Sequence, residues 1–195
     1  MQINHDHISF SPSVRSLGVV LDQTWSFKQQ VCNICRLAYL ELRRNSTIHR
    51  YLSVDATKTL ICAFVLSRID YCNSSCWNSK VPVRQTPKIQ NNAARIVFKS
   101  PKRCHVSPLL RSLHWLPITK RIDYKLSSSC FSVSNGPGPE YLSELLSMCT
   151  PSLRLRSASD TRLFRIPSFK TKTNGQRSFS FQAATVCLKQ SPSNC

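Results

Sequence analysis

Acidic residues are scarce in this 195-residue chain, with nine Asp and Glu set against 27 Lys and Arg. No two acids are adjacent. Nucleotide transfer through two metal ions needs paired carboxylates to hold them, and no adjacent pair marks such a site in this sequence. Long apolar runs are also missing, and none approaches the roughly 20 residues that cross a bilayer as a helix. The start, Met-Gln-Ile-Asn-His-Asp-His, lacks a basic stretch followed by an apolar one and does not read as a secretory signal. The expected location is therefore intracellular, nucleus or cytoplasm. Paired zinc-ligand spacings are absent as well. Cys32 and Cys35 form one CxxC inside a predicted helix, and no second CxxC or CxxxH follows at finger spacing. Cys72 with Cys76, and Cys104 beside His105, supply at best halves of a site. The ten cysteines are expected to be free thiols in a reducing compartment, with no metal and no cofactor.

What remains is charge. A formal net charge of +18 repels itself in the folded state and seeks a polyanion. Nucleic acid, RNA or DNA, is the expected partner, with an anionic membrane surface as the competitor.

The hydropathy pattern is mainly helical. Residues 8 to 22 hold two short apolar runs around a Ser/Pro turn and predict a β-hairpin. Ser26 with Gln29 forms a capping-box signature, and Phe27, Val31, Ile34, Ala38 and Leu42 predict a helix to about Asn45. Its other side carries Lys28, Arg36, Arg43 and Arg44. Ser53 predicts the next N-cap, ahead of a broad stripe of Ala56, Leu60, Ile61, Phe64, Val65 and Ile69. Residues 74 to 86 read as a loop. Thr86-Pro87 and Ser107-Pro108 each place a cap residue before a first-turn proline. A third helix with Ile89, Ala93, Ile96 and Val97 inside follows the first pair, and a short one through Leu113 follows the second. Pro117 breaks that one ahead of a fifth helix, from about Ile118 to Val133.

These elements predict a mainly α fold with a short β-hairpin at 1–25, a helical bundle at 26–134 and a basic, poorly ordered tail at 135–195. Within the tail, after the breaker Asn135-Gly136-Pro137-Gly138-Pro139, only Glu140 to Met148 reads as helix. Beyond Pro151, basic residues alternate irregularly with Phe164, Phe169, Phe179 and Phe181. Such a segment is either a single-strand binder, with charges on phosphates and rings on bases, or a solvated or docked tail.

Arg43, Arg44, Lys99, Lys102, Arg103, Lys120 and Arg121, with Arg154 and Arg156 in the tail, are the candidate phosphate contacts. They cluster at predicted helix ends and in loops, although a solvated basic face would look the same. Trp115 has two readings, a platform for an unpaired base or the anchor of a helix junction, and flanking Leu113 and Leu116 favour the anchor. No catalytic residue is assigned. Cys104 and His105 are sequence neighbours whose side chains point apart, and no third group orients them.

Several motifs occur in a fixed order. They are Ser13-Val14-Arg15-Ser16-Leu17-Gly18-Val19-Val20-Leu21-Asp22, Ala63-Phe64-Val65-Leu66-Ser67-Arg68-Ile69-Asp70-Tyr71-Cys72-Asn73, Gln90-Asn91-Asn92-Ala93-Ala94-Arg95 and Ser112-Leu113-His114-Trp115-Leu116-Pro117. Tyr141-Leu142-Ser143-Glu144-Leu145-Leu146, Leu155-Arg156-Ser157 and Gly175-Gln176-Arg177-Ser178-Phe179-Ser180 follow. Together they resemble the post-palm region of reverse transcriptases of animal non-LTR, LINE-type retrotransposons, of the jockey-like and chicken-repeat-like group. The resemblance implies that the Leu17-Gly18 segment is the last palm hairpin, that the helices form a thumb, and that the partner is a template-primer duplex. It does not imply polymerase chemistry, because the family's catalytic aspartate pair lies upstream of these motifs. Departures from the family are the loss of Pro and Trp from Ala183-Ala184-Thr185-Val186-Cys187-Leu188, Cys104 where an Asp commonly precedes the His, and a poor fit from Ser75 to Thr86 with Pro87 interrupting a helix. These fit a truncated genomic copy.

Three alternatives stand beside a nucleic-acid-binding remnant. One is a helical protein-interaction module, and one is a product without function. A weaker third, from a resemblance of Val14 to Arg50, is a segment attached to AlkB-type dioxygenase and methyltransferase proteins. That last one requires an iron-binding His-x-Asp, and none occurs after Arg50.

Overall fold

The structure is a computed structural model that describes residues 2–3, 6–7, 11–71, 85–136, 138–148, 164–169, 175–176 and 178–190. The protein is mainly helical, with short antiparallel strands at its start. Strands β1 (Gln2–Ile3) and β2 (Asp6–His7) pair with each other, as do β3 (Ser13–Ser16) and β4 (Val19–Asp22). The chain divides into two compact units, Met1–Pro117 and Ile118–Cys195. The boundary thus falls at the Pro117 breaker, within the span that the sequence assigns to one bundle.

In the first unit the hairpin turns at Leu17-Gly18, not at the Ser/Pro pair that the sequence favours. Ser16 pairs with Val19, leaving a two-residue loop with φ of 47° and 80°. Two positive φ values in such a loop match the right-handed twist of the strands, and glycine supplies one of them without a steric penalty. The hairpin is tied down by polar contacts. Val20 N–H donates to Gln30 Oε1 at 3.0 Å, and Tyr71 Oη donates to the Leu17 carbonyl at 2.7 Å.

Helix α1 spans Lys28–Ile48, three residues beyond the predicted end, and passes into a 3-10 turn at His49–Tyr51. Ser26 does not cap it as predicted. Its hydroxyl donates to the Asp22 carboxylate, its N–H donates to Asp22 Oδ1 at 2.6 Å, and Phe27 takes the N-cap position in a left-handed conformation. These Ser26 hydrogen bonds hold Asp22 below the ordinary carboxylate range, the hydroxyl contact being the strongest. Val31, Cys35, Ala38, Leu42 and Asn45 form the buried face of α1, so Cys35 occupies the place the sequence gives to Ile34.

Helix α2 (Val54–Ile61) starts at Ser53 as the sequence predicts, the hydroxyl accepting from Ala56 N–H at 3.2 Å. A π-helical turn at Cys62–Leu66 links it to α3 (Ser67–Asp70). That turn corrects the predicted stripe. An i→i+5 turn holds one more residue than an α turn, which brings Leu66 inward beside Val65 and leaves Phe64 outside. Helix α4 (Thr86–Val97) begins at its predicted cap, Thr86, with Gln85 one residue earlier as N-cap, and buries Ile89, Gln90, Ala93, Ala94 and Val97. Helix α5 (Ser107–Ser112) likewise includes its predicted cap, Ser107. The segment after α5 is anchored by Gln90 Nε2, which donates to the Leu116 carbonyl at 2.8 Å.

The second unit contains α6 (Ile118–Ser134), α7 (Glu140–Ser143) and α8 (Phe179–Gln190). The helix predicted from Glu140 to Met148 stops at Ser143. Beyond it Met148 bridges antiparallel to Phe164, and Arg165 N–H donates to the Ser147 carbonyl at 2.8 Å. Helix α8 is a second helix of the tail, beyond the one the sequence predicts there. Its Ala183 and Ala184 are small enough to pack closely with Cys130 of α6 and with Phe164, and Phe179 and Cys187 flank this core. Residues 149–163, with Arg154 and Arg156, lie outside the described residues, as do Cys72 to Arg84.

The helix contacts yield two predictions. Ala93 is fully buried where α4 meets α1 and α2, so Ala93→Leu is expected to lower stability by about 1–3 kcal/mol through overpacking, read from the urea midpoint. Cys130 has its thiol pushed up from 9.0 to about 12, first by burial and then by the neighbouring Cys187 thiol. The fold therefore favours the neutral thiol. This contribution is complete below about pH 9 and declines as pH rises from 9 towards 12, because the unfolded chain loses its proton first. The unfolding midpoint is expected to fall across that window, and to fall less in Cys130→Ala; equal slopes would mean that thiol burial is not the cause.

Candidate functional site

Helices α1 and α4 are in contact along their buried faces, and beyond that contact a groove of about 600 Å³ lies open on the first unit. Its walls follow from helical spacing. Tyr39, Leu42, Arg43 and Ser46 recur at three- and four-residue intervals on α1, and Asn92, Arg95, Ile96 and Lys99 do the same along α4 and its end. Lys102 closes the groove from the following turn.

Five basic side chains line this space, Arg43, His49, Arg95, Lys99 and Lys102, and no acid does. Three of them, Arg43, Lys99 and Lys102, are candidate phosphate contacts of the sequence, and folding brings them together. Arg95 and His49 were not among those candidates. A usable signal for Arg95 was its place one turn before Lys99 on the same helical face.

Arg95 is held in place. Its Nη1 donates to Asn92 Oδ1 at 3.3 Å and its Nη2 to the Cys104 carbonyl at 3.2 Å. Its Nε is buried without a hydrogen-bond partner among the described residues. A guanidinium fixed by two acceptors presents its charge with little further ordering to lose on binding. His49 Nδ1 lies 2.7 Å from the Ser46 carbonyl, which can only accept, so the proton sits on Nδ1 and Nε2 stays available.

The other sequence candidates fall elsewhere. Arg44 sits about 100° around α1 from Arg43 and pairs with Glu41 at 3.1 Å. Arg103 is exposed in the turn after α4 and does not line the groove. Lys120 and Arg121 belong to the second unit, where Lys120 pairs with Asp123 at 3.8 Å. Trp115 is only 8% exposed, so it anchors the segment after α5 and offers no face for a base. Cys32 and Cys35 are separated by burial, Cys32 exposed and Cys35 inside with its thiol pushed up, by desolvation first. Among the described residues no three His, Cys, Asp or Glu side chains gather as a metal site would require, and no helix is long and apolar enough to cross a membrane.

Lys99 is unusual in its backbone. Helix α4 ends with Ser100 N–H donating to the Arg95 carbonyl at 2.9 Å and Lys99 N–H to the Ile96 carbonyl at 3.2 Å, the paired bonds of a Schellman motif. That motif needs a left-handed residue, ordinarily glycine, and Lys99 supplies it at φ 51°. Helix α5 ends in the same way with His114 at φ 56°, its N–H bonded to Arg111 and that of Trp115 to Leu110. Both positions carry the steric cost of a Cβ in that region, about 1 kcal/mol or more. Lys99→Gly and His114→Gly are each expected to raise stability by roughly 1 kcal/mol in urea unfolding. A fall at either position would mean that the side chain contributes more than the strain costs.

Comparison of the chain with protein-family models, with curated proteins and with solved structures finds no match, so the candidate site rests on the geometry of this groove and on the chemistry of its side chains.

Proposed function

We propose that this protein is a nucleic-acid-binding remnant of a non-LTR retrotransposon reverse transcriptase, without polymerase activity, and that the basic groove between α1 and α4 is its binding surface. The observation that carries the binding is the convergence of Arg43, His49, Arg95, Lys99 and Lys102 on one acid-free groove. Phosphates are the natural counter-ions for such a surface, since Arg and Lys contacts to backbone oxygens displace condensed cations. The family origin is supported by the order of the sequence motifs. One of them, Gln90 to Arg95, supplies Asn92 and Arg95 to the α4 wall of the groove. Two others are fixed elsewhere in the first unit, Ser112 to Pro117 by Gln90 and Ser13 to Asp22 by Gln30 and Tyr71. The proposal leaves out polymerase activity because the family's catalytic aspartate pair lies upstream of these motifs and no adjacent acidic pair occurs in the chain. Inside the cell, a nuclear or cytoplasmic location would give it access to RNA or DNA.

A second reading, docking of a partner protein, is favoured by one feature. Next to the hairpin, Ile34, Leu37 and Tyr71 line a shallow, largely apolar depression of about 360 Å³. Salt distinguishes the two, because apolar docking depends weakly on it and phosphate binding strongly.

The test is a titration of a labelled RNA–DNA primer-template over a range of salt concentrations. Affinity is expected to fall steeply as salt rises, with little sequence preference. Arg43→Gln is expected to weaken binding and to reduce the slope of log K against log salt by about 0.7–0.9, the loss of one phosphate contact. No binding at low salt, or a slope unchanged in Arg43→Gln and Lys102→Gln alike, would overturn the proposal.

A further inference from the structure

The groove has two chemistries, and phosphate binding uses only one of them. Beside its cations, the lining includes the aromatic and apolar side chains of Tyr39, Leu42 and Ile96. Along its length a duplex presents sugars and phosphates to a protein surface, with its base faces stacked inside, and gains little from apolar and aromatic side chains. An unpaired base does gain from them. Its π-face stacks on an aromatic ring whatever the base identity, while neighbouring cations take the phosphates.

Tyr39 is placed for this role. The residue is 39% exposed, and it lies one helical turn from Arg43 on the same face of α1. A volume of about 600 Å³ suits a ligand of one nucleotide, within the roughly 300–1,000 Å³ of small-molecule sites. A duplex, with two backbones and a stack of base pairs between them, is far larger than this volume. Arg95, fixed by Asn92 and the Cys104 carbonyl, keeps one positive charge on the wall facing Tyr39's helix.

We infer that the groove between α1 and α4 holds one unpaired nucleotide, its base on Tyr39 and its phosphates against Arg43, Lys99 and Lys102. The protein would then prefer single strands, and duplexes with a frayed or overhanging end, to blunt duplexes. This rests on the nucleic-acid reading above, and it names the form of nucleic acid that the same groove accepts.

The experiment compares a homothymidine strand with a blunt duplex of equal length by fluorescence anisotropy at fixed salt, using the full chain. Wild type is expected to bind the strand more tightly. Tyr39→Ala is expected to weaken strand binding by about 10-fold, the scale of one lost base stack, and to leave duplex binding unchanged, while Tyr39→Phe keeps the strand preference. A readout that needs no variant is photocrosslinking of a 5-iodouridine strand, expected to join Tyr39. Equal affinity for the two forms, equal effects of Tyr39→Ala on both, or crosslinks mapping away from Tyr39 would overturn the inference. If the groove cations still govern affinity in that case, the broader proposal stands without it. If Arg43→Gln and Lys102→Gln also change nothing, both fall.

Discussion

The close approach of α1 and α4 is the constraint on which the first unit depends. Ala38 on one helix and Ala93 and Ala94 on the other are fully buried, and side chains of that size let two backbones come together without large residues between them. Larger side chains then take up the space around the contact. Val31, Cys35 and Leu42 continue the α1 face, while Ile61, Val65 and Ile69 pack in from the continuous α2–α3 segment. Where the contact ends, towards Tyr39, Arg43 and Lys99, the helices leave a groove. Core packing and the basic groove are thus consequences of one helix pair.

A second constraint is the supply of glycine. The chain has four, and among the described residues Leu17, Trp25, Phe27, Lys99 and His114 stand at positive φ without being glycine. Each carries a steric cost that the surrounding hydrogen bonds must offset. At Leu17 the carbonyl receives the Tyr71 hydroxyl, and at Phe27 the turn before α1 is braced by Ser26 on Asp22. At Lys99 the strained backbone places a cation on the groove wall, where glycine would place nothing. Strain and charge coincide there, in the sense that a cheaper backbone would remove a cation from the groove.

Much of this was legible in the residues. Helical spacing located α1, α2, α4 and α6 because their buried faces recur at three and four residues, and Ser53 capped α2 through the hydrogen bond its side-chain type predicts. Proline at the start of α4 and of α5 marked where each helix begins to within a residue. Helix α8 was harder to see. Its signal is Phe179, Ala183 and Cys187 at four-residue intervals, and alanine and cysteine carry weak hydrophobic contrast against a Ser-rich background. The π turn was not legible at all, since one extra residue in a turn leaves no mark in local composition.

By itself the sequence determined the helical class, the +18 charge, the lack of adjacent acids, and the identity of the cations. These are properties of composition and of near neighbours, on which local spacing and net charge depend. Only tertiary structure decided which of those cations act together. Arg43 and Arg44 are adjacent in the chain, yet one lines the groove and the other turns to Glu41, because successive residues on a helix point about 100° apart. Lys99 and Lys102 join Arg43 across more than fifty residues of sequence because α4 packs on α1, and Trp115 is withdrawn from any binding role because the segment after α5 is anchored by Gln90. A charge belongs to a residue, whereas a charged site belongs to the packing that brings residues together.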